Sequence, residues 1–190
     1  ILIATLLSAR TQDRTTLAAS TRLFAVASTP EAVVALPVRT IASLIYPVSF
    51  YRTKAKHVKI TCRALIDRFG GRVPSTMDDL LTLPGVGRKT ANLVLILGFK
   101  SVDNICVDTH VHRISNRLGW IRTTTPDESE QALYQTVARR WWASLNLYLV
   151  TWGQHVCRPI HPRCEDCPIA ALCPKIGVAP AGRAGARLTV

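Results

Sequence analysis

Four cysteines in the last third of the chain, Cys157-x6-Cys164-x2-Cys167-x5-Cys173, have the spacing of a metallocluster site. Thiolates are the soft ligands that hold zinc or iron–sulfur clusters. A zinc ribbon pairs two short Cys-x2-Cys knuckles. Only one short knuckle is present, so a [4Fe–4S] cluster fits this register better than zinc. Disulfides are the third reading, disfavoured because nothing at the N-terminus reads as a signal peptide. Cys62 and Cys106 lie outside the motif and read as small buried thiols.

A second chemistry sits mid-chain, where Leu83-Pro84-Gly85-Val86-Gly87-Arg88-Lys89-Thr90-Ala91 joins two helical segments. Gly85 and Gly87 permit positive φ and leave the backbone bare. The helix that follows opens its N-terminal amides at the same place. Together these make an anion site in which main-chain N–H groups grip a phosphate and Arg88 adds charge. An ordinary Pro-Gly turn is the plain alternative. Lys89, just inside the helix, has the chemistry to attack a sugar carbon when its amine is neutral; the positive helix end and the neighbouring Arg88 both favour that form. The alternative is an ammonium that only touches phosphate. Asp108, in Val107-Asp108-Thr109-His110, reads first as a helix N-cap, with Leu118-Gly119 closing the helix. A capped carboxylate is also a fixed one, suited to stabilising a developing cation or assisting proton transfer.

Helices must position these groups. Thr29-Pro30-Glu31 places a cap before a proline at the first helical position. Ser75-x-x-Asp78 resembles a capping box that opens the run to Leu83, and Thr125-Pro126-Asp127-Glu128 is a full one. Leu133, Val137 and Trp141 then follow at four-residue steps, predicting a buried stripe. Gly98 and Gly119 mark expected helix ends. No alternating strand or solenoid repeat stands out, so the predicted class is all-α. The expected division is a helical domain over 1–101, a second helical part over 102–174 ending in the cysteine loop, and a loose Gly/Ala/Pro-rich tail over 175–190. Ile1 to Ser8 reads as the inside of a buried helix, with the expectation of a segment before it.

Composition sets limits on function. Lys plus Arg number 24 against 12 Asp plus Glu, a net charge of +12 over 190 residues, and no apolar run reaches the length of a membrane span. Such an imbalance in a compact chain points to a polyanion partner. Aromatics make up only 6%, so stacking on single strands is not the evident mode. Arg158, His161 and Arg163, in the first loop of the cysteine motif, stand where phosphates would be met.

The stretch Leu83 to Leu95, then Val107-Asp108-Thr109-His110, then the four cysteines in register resembles endonuclease III, the iron–sulfur branch of the helix-hairpin-helix DNA glycosylases. Leu6-Leu7-Ser8-Ala9 and Tyr51 to Ala55 look like further family segments in the same order, so the resemblance covers residues 1–174. It implies a six-helix barrel with the helix-hairpin-helix at about 78–98, an iron–sulfur domain, and an active site in the cleft between them. It implies Lys89 as the catalytic lysine and Asp108 as the catalytic carboxylate of a glycosylase that is also an abasic-site lyase, acting on oxidised or ring-saturated pyrimidines in double-stranded DNA. Gly85, Val86, Gly87, Arg88, Thr90 and His110 would meet DNA. Phe50 matches the family's apolar wedge, the alternative being a core residue. The second filler position, usually Gln, is Arg10, which lacks an acceptor and puts opposite-base preference in question. A monomer in the cytoplasm, nucleoid-associated and bacterial-like, without a membrane partner, completes the expectation. A pyrimidine-dimer glycosylase of the same fold and a catalytically weak DNA-binding paralogue are its rivals.

Overall fold

The structure, a computed structural model, describes residues 1–178; the greater part of the expected tail lies outside the described residues. Within them every regular element is helical. The order is α1 (Leu2–Ser8), α2 (Asp13–Val26), α3 (Pro30–Ala35), α4 (Val38–Ile45), α5 (Tyr51–Phe69), α6 (Met77–Leu81), α7 (Arg88–Phe99), α8 (Thr109–Arg117), α9 (Pro126–Thr136), a 3-10 turn (Arg139–Trp141) and α10 (Trp142–His155). None of these helices is long and apolar enough to cross a membrane.

Two compact units divide the chain, Ile1–Asn104 and Ile105–Val190. The division falls three residues later than 101 because Ser101 to Asn104 are tied back to α7. The Ser101 hydroxyl donates to Asn104 Oδ1 (2.5 Å), and Asn104 Nδ2 donates to Oδ1 of the fully buried Asn92 (3.0 Å).

In the first unit α5 packs against α3 and α4, α1 against α2 and α7, and α6 against α7. The reason is periodicity: Ala55, Val58, Cys62 and Leu65 line one face of α5 at steps of three and four, and all are buried. Leu2, Ile3, Leu6 and Leu7 make α1 the inward helix its apolar run predicts. Burying each large aliphatic side chain contributes about 1.5–3 kcal/mol. In the second unit α8 packs against α10 and α9. The close α8–α10 approach depends on Gly153, where a Cβ would collide with the His110 ring and stand 2.9 Å from Arg113 Nη2.

Several local expectations shift. The caps at Thr29 and Thr125 form, the latter as a complete box with Glu128. The box near residue 75 is one position later: Thr76 accepts from Asp79 N and donates to Asp79 Oδ2 (2.7 Å). The stripe Leu133–Val137–Trp141 does not form, because α9 stops at Thr136, Val137 turns extended and Trp141 is exposed; only Leu133 is buried. Gly98 does not end its helix; α7 runs to Phe99 and closes on Lys100 at φ 59°. Gly119 behaves as expected, at φ +69° after α8.

Candidate nucleic-acid and metallocluster sites

The hairpin is α6, the turn from Thr82 to Gly87, and α7. Gly85 supplies the left-handed conformation, at φ +78°, and a Cβ there would press on the His57 ring at 3.3 Å. Gly87 is extended instead (φ −102°, ψ 178°), and a Cβ on it would meet nothing within 4 Å. One glycine therefore serves the turn, and the other leaves the outer backbone bare. Val86 points inward, 7% exposed within the core, and its N–H donates to Leu83 O (3.1 Å). Its side chain thus anchors the turn in the core. Thr61 fastens the turn from behind, its hydroxyl donating to Pro84 O (2.7 Å). Arg88, Lys89 and Thr90 occupy the first turn of α7, with Lys89 exposed. There the helix presents its N-terminal amides and positive dipole end.

Phe50 and Arg10 share an unusual backbone. Both are non-glycine residues in the left-handed region, at φ 56° and 54°, a conformation that costs on the order of 1 kcal/mol each. Phe50 is the N-cap of α5 and 63% exposed, so it is not a core residue. The Arg10 guanidinium lies over its ring, 5.9 Å from the centroid.

In the second unit Asp108 caps α8: its Oδ1 accepts from His110 N (2.8 Å) and Val111 N (2.9 Å). Both bonds fall on one oxygen, Oδ1, which fixes the carboxylate at the helix start. The His110 ring lies beside Gly153, with Nδ1 3.2 Å from Arg113 Nη2. His112 Nδ1 meets Ser129 Oγ at 2.6 Å, also inside the unit.

All four motif cysteines line one cavity, together with Arg117, Trp152 and Ile114. Among the described residues no three His, Cys, Asp or Glu side chains converge closely enough for a single metal ion. The four sulfurs make a wholly soft donor set, the chemistry that zinc and iron–sulfur groups use. Polar hydrogens already aim at the sulfurs. Arg117 Nη1 stands 3.4 Å from Cys157 Sγ, and Lys175 N donates to Cys173 Sγ at 3.4 Å.

Two arginines on α8, which the sequence reading passed over, hold this loop. Arg113 Nη2 donates to Cys157 O (2.8 Å), while burial and the nearby Arg117 draw the Arg113 guanidinium below the usual arginine range. Arg117 donates to Arg158 O (2.6 Å) and Pro159 O (2.8 Å), and its own carbonyl accepts from Ile176 N (3.1 Å). Their spacing of four on a helix after Asp108 was the available signal. Arg158 and Arg163 are exposed, but Arg163 Nε pairs with Asp166 (3.2 Å), which offsets part of the charge expected to meet phosphate.

Residues 3–139 match the HhH-GPD superfamily of base excision DNA repair proteins. The chain is 45% identical over 173 residues to endonuclease III of Thermotoga maritima, covering 91% of this chain and 81% of that one. It is 46% identical over 182 residues to the chloroplastic endonuclease III homolog 1 of Arabidopsis thaliana. That alignment covers 92% of this chain and 48% of the plant protein, so the chain spans about half the length of that relative. Among solved structures, a trapped endonuclease III–DNA covalent intermediate in an estranged-adenine complex superposes with a TM-score of 0.86 at 37% identity, covering 92% of this chain and 82% of that one. The hairpin geometry, the helical fold and these likenesses agree: the chain belongs to the HhH-GPD superfamily of base excision DNA repair proteins and, within it, to the endonuclease III family.

Proposed function

We propose that the protein removes oxidised pyrimidines from double-stranded DNA and then cleaves the strand at the resulting abasic site. The observation that carries this reading is Lys89 in the first turn of α7, directly behind a turn whose bare glycine and helix end suit a phosphate. An amine placed there lies beside a gripped backbone rather than free on a surface. The likeness to an endonuclease III captured covalently on DNA supports it.

The damaged nucleotide leaves the stack first, because C1′ is inaccessible inside a duplex. The neutral Lys89 amine attacks C1′; the N–C1′ bond forms as the bond to the base breaks, and the base departs with the electron pair and takes up a proton. Asp108, held by two amides, stabilises the positive charge that builds on the sugar and assists the proton transfers. Opening of the sugar gives a protonated Schiff base. Loss of a C2′ proton then expels the 3′ phosphate, and water releases Lys89. Phe50 and Arg10 fill the space left in the duplex, Arg10 without the acceptor by which Gln reads an opposite base. Gly85, Gly87, Arg88 and Thr90 hold the backbone, joined by Arg158 and Arg163.

Cys157, Cys164, Cys167 and Cys173 are the residues that would hold a [4Fe–4S] cluster, whose bound contribution would be to staple the loop carrying Arg158 and Arg163. A monomer acting in the cytoplasm at the nucleoid completes the reading. The deciding experiment is borohydride trapping on a duplex bearing one thymine glycol. A covalent adduct that disappears in Lys89→Gln, with turnover down about 10³-fold or more, is expected. Trapping on an abasic duplex alone would transfer the base specificity elsewhere, and trapping on neither would leave a DNA-binding paralogue.

A further inference from the structure

The proposed chemistry leaves Lys54 unused, although this lysine is only 9% exposed. Its ammonium turns inward and donates to Leu7 O (2.7 Å), Ala9 O (2.5 Å) and Thr11 Oγ1 (3.3 Å). Three acceptors match its three donors. Two of them are carbonyls at the end of α1, where the helix dipole is negative. Burying an ammonium is costly, and carbonyls at a helix end are what make it tolerable here.

What lies on either side of this cation is informative. Lys54 is one turn into α5, and its backbone N–H donates to Phe50 O (3.0 Å). The chain end it grips continues directly into Arg10. The Thr11 hydroxyl that it reaches also accepts from Ser49 N (3.2 Å), and Ser49 Oγ donates to Arg10 O (2.6 Å). Arg10 and Phe50, the two left-handed residues of this region, are therefore cross-tied through Lys54, Thr11 and Ser49. An apolar residue at position 54 would leave the Leu7 and Ala9 carbonyls without this donor and free the end of α1 to relax.

We propose that Lys54 is a positioning residue for duplex opening: it fixes the end of α1 against the start of α5, so that Arg10 and Phe50 enter the base stack as one rigid unit. This rests on the reading of those two residues as hole fillers.

The test compares Lys54→Met, which keeps an unbranched stem of similar length, with Phe50→Ala and the double variant. Two activities are measured: single-turnover excision of thymine glycol from a duplex, and β-elimination on a single-stranded abasic oligonucleotide, which needs no opening. A 2-aminopurine beside the lesion reports unstacking. Lys54→Met is expected to slow duplex excision on the order of tenfold or more and to reduce the 2-aminopurine signal. Single-strand elimination should be unchanged, and no further loss should appear in the Phe50→Ala background. Equal losses on duplex and single strand would reduce Lys54 to a structural role and overturn the proposal, as would unchanged duplex excision in Lys54→Met while Phe50→Ala is slow. An unaffected Phe50→Ala would instead sink the filler reading and the proposal with it. If a thermal melt shows Lys54→Met unfolded, Thr11→Val takes its place, with about a threefold duplex-specific loss expected and its absence counting against the proposal.

Discussion

The two units hold themselves together by different means. The first builds a continuous core of twenty-two buried residues running from Leu2 to Leu95. The second has eight, from Ile105 to Leu149, and from Gln154 to Val178 no residue is buried at all. Ile160 and Leu172 stand in solvent there, Leu172 at 85% exposure. Hydrophobic burial stabilises the platform for the hairpin, whereas the cysteine loop depends on cross-links: two arginines reaching from α8 and, in the proposed reading, a cluster on the four cysteines. A segment too polar and too short to make a core needs such staples to be ordered. The contrast teaches that one family fold can rest on a hydrophobic core under its hairpin and on polar cross-links around its cysteine loop.

That contrast can be broken experimentally, and the sharpest attempt is on the sulfur ligands. Cys164→Ser, or iron removal by chelation, is expected to cost the loop several kcal/mol. Proteolysis would then cut within residues 157–174 while amide exchange in α5 and α7 stays protected. Uniform loss of protection would mean that the first unit also relies on the cluster. Next comes the core itself. Leu80→Ala should destabilise the protein by about 2–5 kcal/mol in a denaturant melt, and Leu172→Ala by less than about 0.5 kcal/mol; comparable costs would erase the distinction.

One pH effect belongs to the first unit. Burial, helped by Glu31, pushes the Cys62 thiol from the ordinary 9.0 up to about 11. The unfolded chain therefore releases this proton at lower pH than the folded one, and stability falls as pH rises from about 9 toward 11, by about 2 kcal/mol at most. Thermal melts across that window should show the decline, and Cys62→Ala should flatten it. A purely local effect is expected in the second unit: Thr125→Ala removes the capping box of α9 and should cost about 1 kcal/mol, read as a shift in the melting midpoint.

Part of this molecule was legible before folding. Capping at Thr29, Thr125 and Asp108 follows from side chains that bond their own backbone within three residues, so a linear pattern suffices. The same locality explains the helical class and the left-handed Gly85 of the hairpin turn, although Gly87, read the same way, is extended. Where local signals compete, the reading slipped. Thr76 won the cap from Ser75, and α7 ran one residue past Gly98 to close on Lys100.

By itself, then, the sequence determined the helices, the sulfur register, the glycine turn and the place of Lys89 at a helix start, since each depends on residues a few positions apart. Only the tertiary structure decided that Val86 belongs to the core, that the His110 ring lies against Gly153, and that Lys54 reaches back forty-seven positions to the end of α1. It also decided that Arg113 and Arg117 bind a loop some forty residues away. Such contacts join segments distant in the chain, and no periodicity encodes them. They exist because packing brings a buried cation and unpaired carbonyls to the same place, where each satisfies the other.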